Sequence, residues 1–406
     1  MKKNFLLAFA LLATLPAFAD LEGDGYYRIQ NFLTDRWAVM VNNKAKIDQT
    51  VTDVDLSSIQ LNKDFDEVCY DPGSILYISN HGGSSYNISA QGTSVYDLMN
   101  QYVTIAKQKT AQGQQLYSAS GKYEGYTGYL GDGNYGSDYF LEKQFGTMQV
   151  VTGGMNNACM WYILPVSTSG PNYFGILPTV STKVDKGENY YTTLYTSFPY
   201  SASAAAAGMQ FFYIRGMYNG AVEMVEIKNT VPANTPVIVK CAGETPADNK
   251  VNIGGVADAL KNNNLNGVFF CDPEHFSPNY VEYDPETMRV LGVCSDGSLG
   301  FITASNLKYI PANSAYIKVD KGSKAEFICQ NPADFAAGVD TIGVSSVALN
   351  YRNGVVYADH QIELSVFNMA GQLLVKEVTE SLDLNDLGKG VYIVSAPGYK
   401  TLKVVK

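Results

Sequence analysis

Few residues in this 406-residue chain have both the type and the spacing to do covalent chemistry. Three histidines, His81, His275 and His360, stand far apart, and none belongs to an HExxH or similar metal-binding spacing. A hydrolytic dyad such as Cys159 with His81 would need the fold to join them, since neither carries a local nucleophile signature. Asp64, Asp66 and Glu67 offer clustered carboxylates of the kind a glycosidase uses in pairs. On an acidic chain, however, such loop acids more often face solvent. The run Asp132-Gly-Asn-Tyr-Gly-Ser-Asp138 places oxygen ligands at alternate positions, but it lacks the bidentate Glu of a calcium loop and reads as a Gly-rich turn. No metal site, no cofactor site and no catalytic residue is assigned.

Charge narrows the partners. Lys2 and Lys3, the apolar run Phe5 to Leu15 and the small residues Ala17 and Ala19 form a secretory leader, with cleavage expected after Ala19. Cleavage takes two lysines from 29 basic residues and none of the 39 acidic ones, leaving a formal charge of −12. Such a chain repels phosphate backbones, and its Lys and Arg are scattered, so nucleic acid is not an expected partner. No later stretch is long enough and apolar enough for a transmembrane segment. Six cysteines, Cys69, Cys159, Cys241, Cys271, Cys294 and Cys329, form no CxxC pair; buried free thiols and one or two bridges are both open.

The elements that must position these residues are short β-like runs separated by Gly, Asn, Asp and Pro, which points to a mostly β, multi-domain chain. One exception is expected. Val95, Leu98, Met99, Tyr102, Val103 and Ala106 recur at helical spacing, predicting an amphipathic helix from Ser94 to Lys109; a second, short helix is expected over Asp258 to Asn262. Within residues 20–166, strand-like runs open at Gly25 to Asn31 and close at Trp161 to Pro165, with others at Ile75 to Ser79, Tyr86 to Ser89 and Tyr126 to Leu130. The opening GYYRIQN with RWAVMV, and the closing WYILPV, resemble the first strand pair and last strand of a ricin-like β-trefoil. No set of three Gln-x-Trp signatures accompanies them, so the resemblance implies the fold more than the sugar site. Tyr126, Tyr129, Tyr135 and Tyr139 crowd a Gly-rich stretch and are the candidate binding aromatics, although each is also a plausible packing residue.

Residues 167–330 carry a near-repeat, Val231-Pro-Ala-Asn-Thr-Pro-Val-Ile-Val239 and Ile310-Pro-Ala-Asn-Ser-Ala-Tyr-Ile-Lys318. Pro fixes φ and Asn tolerates the left-handed conformation, so each Pro-Ala-Asn should turn the chain into the strand that follows, within one β-sandwich. Together with Tyr190 to Tyr195, Val290 to Gly292 and Gly300 to Ile302, the region resembles an uncharacterised β-sandwich of exported envelope proteins in Gram-negative gut and oral bacteria. A small-residue linker follows over 331–343, where Asp340-Thr341-Ile342 resembles a short O-glycosylation acceptor and makes Thr341 the candidate modification site.

In residues 344–406, Ile362 to Asn368 alternates, Met369-Ala-Gly371-Gln372 turns and Leu373 to Val375 returns as a hairpin. Leu387, the Gly388-Lys-Gly390 turn, Tyr392 and a basic last strand ending in Lys406 complete the pattern. The Asn368-x-x-Gly371-Gln372 turn and the Leu387-x-x-Gly390-x-Tyr392 motif resemble the C-terminal sorting domain of the type IX secretion pathway, a small Greek-key β-sandwich. Gly388 stands where that family usually has Pro. The resemblance implies type IX secretion machinery as a partner and a secreted or outer-membrane surface location. The expected function is a non-catalytic binding or adhesion protein with an unknown extracellular glycan or protein as ligand; a secreted glycosidase or peptidase with the same tail is the alternative.

Overall fold

The computed structural model describes residues 21, 24–40, 59–90, 93–94, 101–133, 141–184, 187–269, 271–272, 277–335, 349–397, 399 and 401–406. The leader over 1–19, the side chains of Tyr135 and Tyr139, His275 and Thr341 lie outside the described residues. The chain is mostly β with several separate sheets, the expected fold class. It packs as two compact units, one of Met1–Gly216 with Val225–Ile328 and one of Met217–Met224 with Cys329–Lys406.

The first unit begins with β1 (Gly25–Asn31), β2 (Trp37–Met40), β3 (Ile59–Asn62), helix α1 (Phe65–Val68), β4 (Leu76–Asn80), β5 (Ser85–Ala90), β6 (Thr93–Ser94), β7 (Val103–Ala111), β8 (Gln114–Tyr123), β9 (Tyr126–Asp132), β10 (Phe145–Val151) and β11 (Trp161–Pro165). Six strands close a barrel through antiparallel pairs β1–β4, β4–β5, β5–β7, β7–β8, β8–β11 and β11–β1. The opening strand thus pairs with the closing one, Tyr27 facing Pro165 and Asn31 facing Trp161. The pairs β2–β3 and β9–β10 lie outside this ring and join each other through β3–β10. Alternation puts Ile29, Ile78, Ile88, Ile105, Leu130 and Trp161 inside, and the Trp161 indole N–H donates to Leu130 O at 2.9 Å.

Both expected helices require correction. From Val103 to Lys109 the chain is strand, not helix, with Val103 and Ile105 turned inward and Thr104 outward. The helical spacing drew on residues 95–100, outside the described residues, and passed over the β-branched alternation Val103-Thr104-Ile105. Over Asp258 to Asn262 there is no helix: Asn262 is left-handed with φ 59°, and the Asn263 side chain accepts the Leu265 N–H at 3.1 Å. These Asn side chains compete with helical hydrogen bonds.

The chain continues with β12 (Phe174–Gly175), β13 (Val180–Val184), β14 (Gly187–Leu194), β15 (Tyr200–Ser201), β16 (Gln210–Tyr218), β17 (Ala221–Ile227), β18 (Thr230–Val231), β19 (Val237–Cys241), β20 (Lys250–Ile253), β21 (Leu265–Gly267), β22 (Cys271–Asp272), β23 (Ser277–Pro278), β24 (Met288–Val293), β25 (Leu299–Ile302), β26 (Ala315–Lys318) and β27 (Glu326–Gln330). A four-stranded sheet, β12-β20-β15-β18, packs on the β14-β19-β16 part of a larger sheet. Phe174, Phe198, Tyr200, Phe211, Val231 and Val239 fill the space between them, which is sandwich packing. Both Pro-Ala-Asn turns behave as expected: Asn234 and Asn313 have φ 57° and 61° and lead into β19 and β26.

The second unit contains β28 (Asn350–Arg352), β29 (Val355–Asn368), β30 (Leu373–Asp383), β31 (Val391–Ser395) and β32 (Leu402–Val405). The long β29 pairs with β28 at its start, β31 at its end and β30 along both halves, with a register shift between Tyr357 and Ile362. Leu349, Val356, Leu364, Val366, Val394 and Val404 form the core of this unit.

Candidate functional site

A concavity of about 470 Å³ lies in the first unit, where the segment after α1 meets the larger sheet of the sandwich. Its shape begins with capping. Asp64 caps α1 by accepting the Asp66 N–H at 3.0 Å, and Glu67 accepts from the Asn62 amide at 2.8 Å. These two clustered carboxylates therefore hold a turn together, while Asp66 is exposed. One residue after Tyr70, Asp71 repeats the device: its carboxylate accepts the Gly73 N–H at 2.7 Å and starts a single 3-10 turn with Pro72 at its first position.

Arg28 fixes this turn from behind. Its guanidinium is fully buried and donates to Ser74 Oγ (2.8 Å), Asn172 Oδ1 (2.9 Å) and the carbonyls of Tyr173 (2.7 Å) and Cys69 (3.2 Å). Burial lowers its pKa to about 10. The Gly175 N–H donates to Cys69 O at 3.0 Å, so barrel and sandwich share one hydrogen-bonded seam under the pocket.

The polar lining comprises Tyr70, Asp71, Thr179, Thr192, Thr193, Asn313 and Ser314. Thr179 and Thr192 hydroxyls are 3.1 Å apart, and Ser314 Oγ donates to Pro311 O at 2.6 Å. Aliphatic wall comes from Ile176, Leu177, Leu194, Leu291 and Leu307. Among the described residues the lining includes a single carboxyl, Asp71, and no His, Cys, Lys or Arg. Burial pushes Asp71 up to about 6, opposed by the Gly73 N–H and by Arg28. Asp71 is partly open to solvent.

The residues singled out for chemistry are dispersed. Cys159 is buried with Asn156 Oδ1 3.6 Å from its sulfur, and burial raises its thiol pKa. His81 is exposed, hydrogen-bonds Ser79 Oγ at 3.2 Å and stacks on Tyr102 with ring centroids 4.0 Å apart. Cys69, Cys159, Cys241, Cys294 and Cys329 are free thiols, and burial pushes Cys241 up to about 12, the opposite of nucleophile activation. Asp132 is fully buried against Arg36 at 2.6 Å, so it serves an ion pair. Among the described residues no three potential ligands gather as a metal site, and no helix is long and apolar enough to cross a membrane.

Of the described candidate aromatics, Tyr126 is 69% exposed beside the β8–β9 turn, whereas Tyr129 is half-buried. Three positions apart on one strand, they address opposite faces and do not form a single platform. The pocket residues were passed over because they come from separate segments; the one local signal was Asp71-Pro72-Gly73-Ser74, a turn signature.

In the second unit the motif residues have mutual contacts. Asn368 Oδ1 accepts the N–H groups of Ala370 and Gln372, both at 3.0 Å, its Nδ2 donates to Gln372 Oε1 at 2.8 Å, and Gly371 supplies φ 77°. Tyr392 OH donates to Gly388 O at 2.7 Å. Gly390 and Lys406 exchange backbone hydrogen bonds, while Lys406 Nζ donates to the carbonyls of Leu384 (2.7 Å), Asn385 (2.6 Å) and Leu387.

No known protein-family model matches the chain, and a search of curated proteins finds no match.

Proposed function

We propose that this chain is a secreted or surface-displayed binding protein that holds an extracellular glycan or protein without turning it over, exported through its C-terminal module by type IX secretion machinery. The observation that carries the reading is the pocket after α1: concave, aliphatic-walled and supplied with convergent hydroxyls, but with one carboxyl and no imidazole or thiol in its lining. Recognition needs such a lining, whereas hydrolysis needs a base within reach of a nucleophile or of a second acid. The trefoil-like barrel and the sandwich are the scaffold that presents it.

Support for export comes from the second unit. The leader residues Lys2 to Ala19 and the tail motifs resemble entry and exit signals of one route, and the tail motifs have structural work to do: Asn368, Gly371 and Gln372 shape one turn, while Leu387, Gly390, Tyr392 and Lys406 bind the last strand to the preceding loop. The exposed Tyr126 remains a secondary contact for ligand, and Thr341 the proposed glycan acceptor.

The test is a glycan-array and extracellular-partner screen on the purified chain, with Leu177→Trp as the pocket-blocking variant at an exposed rim position. The expected result is retention of an unaltered ligand that Leu177→Trp weakens. Release of product from a glycan, peptide or ester panel, abolished by changing one Cys, His or acid, contradicts the proposal.

A further inference from the structure

We propose that the pocket takes a ligand combining a protonated amine with an aliphatic body, as a lysyl side chain does, and that the amine sits on Asp71. The inference rests on the binding reading above and narrows it to a ligand class.

Charge is the first argument. Among the described residues Asp71 is the single carboxyl of the lining and no basic side chain shares the pocket with it. Its one hydrogen bond in the structure comes from the Gly73 N–H. Arg28, a buried cation that acts on Asp71, directs its donors to Ser74, Asn172 and the carbonyls of Tyr173, Val68 and Cys69. Arg28 pulls the Asp71 pKa down but makes no hydrogen bond to its carboxyl, and a carboxylate drawn into protein this way favours whatever brings positive charge and hydrogen-bond donors. An ammonium brings both in a compact group. Anionic ligands meet the same carboxylate as repulsion.

The wall is the second argument. Ile176, Leu194, Leu291 and Leu307 offer aliphatic surface, and the one aromatic residue in the lining is Tyr70. A sugar ring is held by stacking on aromatic faces together with paired hydroxyls; a methylene chain needs only contact with aliphatic groups. The volume of about 470 Å³ holds an extended amine side chain with its flanking peptide groups. The raised pKa of Asp71 adds a pH signature, since the carboxylate must ionise to bind the amine.

The experiment titrates the full chain with n-hexylammonium, n-hexanol, hexanoate and methyl glucoside, followed by NMR or calorimetry at pH 7.5 and pH 5. Hexylammonium should bind at least about tenfold more tightly than hexanol or hexanoate, and weaken by about tenfold at pH 5, where most of Asp71 is protonated. Asp71→Asn keeps the acceptor for Gly73 and should lose both the preference and the pH dependence; Leu177→Trp should weaken all pocket binding. Equal binding of hexanol and hexylammonium, or an unchanged preference in Asp71→Asn, overturns the amine assignment. Binding of the glucoside alone overturns it too, while leaving the pocket as a binding site. Absence of binding by every probe, together with a screen ligand indifferent to Leu177→Trp, overturns the amine class and the site together.

Discussion

Asn234 and Asn313 hang on adjacent residues of one strand end: the Asn234 N–H donates to Thr196 O at 2.9 Å, and Asn313 O accepts the Tyr195 N–H at 2.8 Å. The two Pro-Ala-Asn turns are thus joined through a dipeptide just beyond β14. Both asparagines are left-handed, so a β-branched residue is strained at either place. Asn234→Val and Asn313→Val should each destabilise the chain by about 1–3 kcal/mol in urea unfolding, and the Gly variants by much less. Unchanged midpoints in both Val variants would remove the argument from paired turns.

Arg28 ties α1 and the Asp71 turn to the entry of the sandwich. Arg28→Met leaves Ser74, Asn172 and several carbonyls without a donor in a buried seam, at a cost of about 3 kcal/mol or more. Arg28→Lys should restore little, because one ammonium cannot reproduce the planar fork of donors. Full stability in Arg28→Lys, read by thermal unfolding, would show that charge alone matters there.

Asp71 gives the pH dependence a definite sign. Its folded-state pKa of about 6 exceeds the ordinary carboxylate value of 3.8, so the folded chain holds the proton more tightly. Below pH 4 both states are protonated and there is no penalty. Stability falls as pH rises from about 4 to 6 and stays lower above, by at most about 3 kcal/mol and by less to the extent that the carboxyl faces solvent. Asp71→Asn should remove that fall and be as stable as the parent or more so at pH 7. A variant less stable at pH 7 would show that the charged carboxylate is stabilising.

Asn368 is the acceptor that closes the β29–β30 turn. Asn368→Ala should speed amide exchange at Ala370 and Gln372 and cost about 1–2 kcal/mol. Exchange unchanged at both amides would mean that Gly371 alone sets the turn.

Much of the fold was legible where the signal was local. The strands at Gly25, Tyr126 and Trp161 follow from alternation, the two Asn turns from Pro-Ala-Asn, and the last hairpin from the Asn368 to Gln372 spacing. The misread helix shows the limit: Val103 to Lys109 carries helical and strand periods at once, and only pairing with β5 and β8 decides between them. The pocket was not legible because Asp71, Thr179, Leu291 and Asn313 come from segments that only the folded seam brings together. The sequence does mark Asp71 as a capping residue, but nothing local tells that the residue also lines a cavity.

Export is tested by the location of a reporter carrying a signal peptide and residues 344–406 in a host with type IX secretion. Reporter is expected at the cell surface or in the medium, with reduced delivery when Lys406 and Tyr392, which bind the 384–388 carbonyls, are replaced by Ala and Phe. Retention of the unaltered fusion in the periplasm would contradict it and make the module an ordinary sandwich domain of the mature protein.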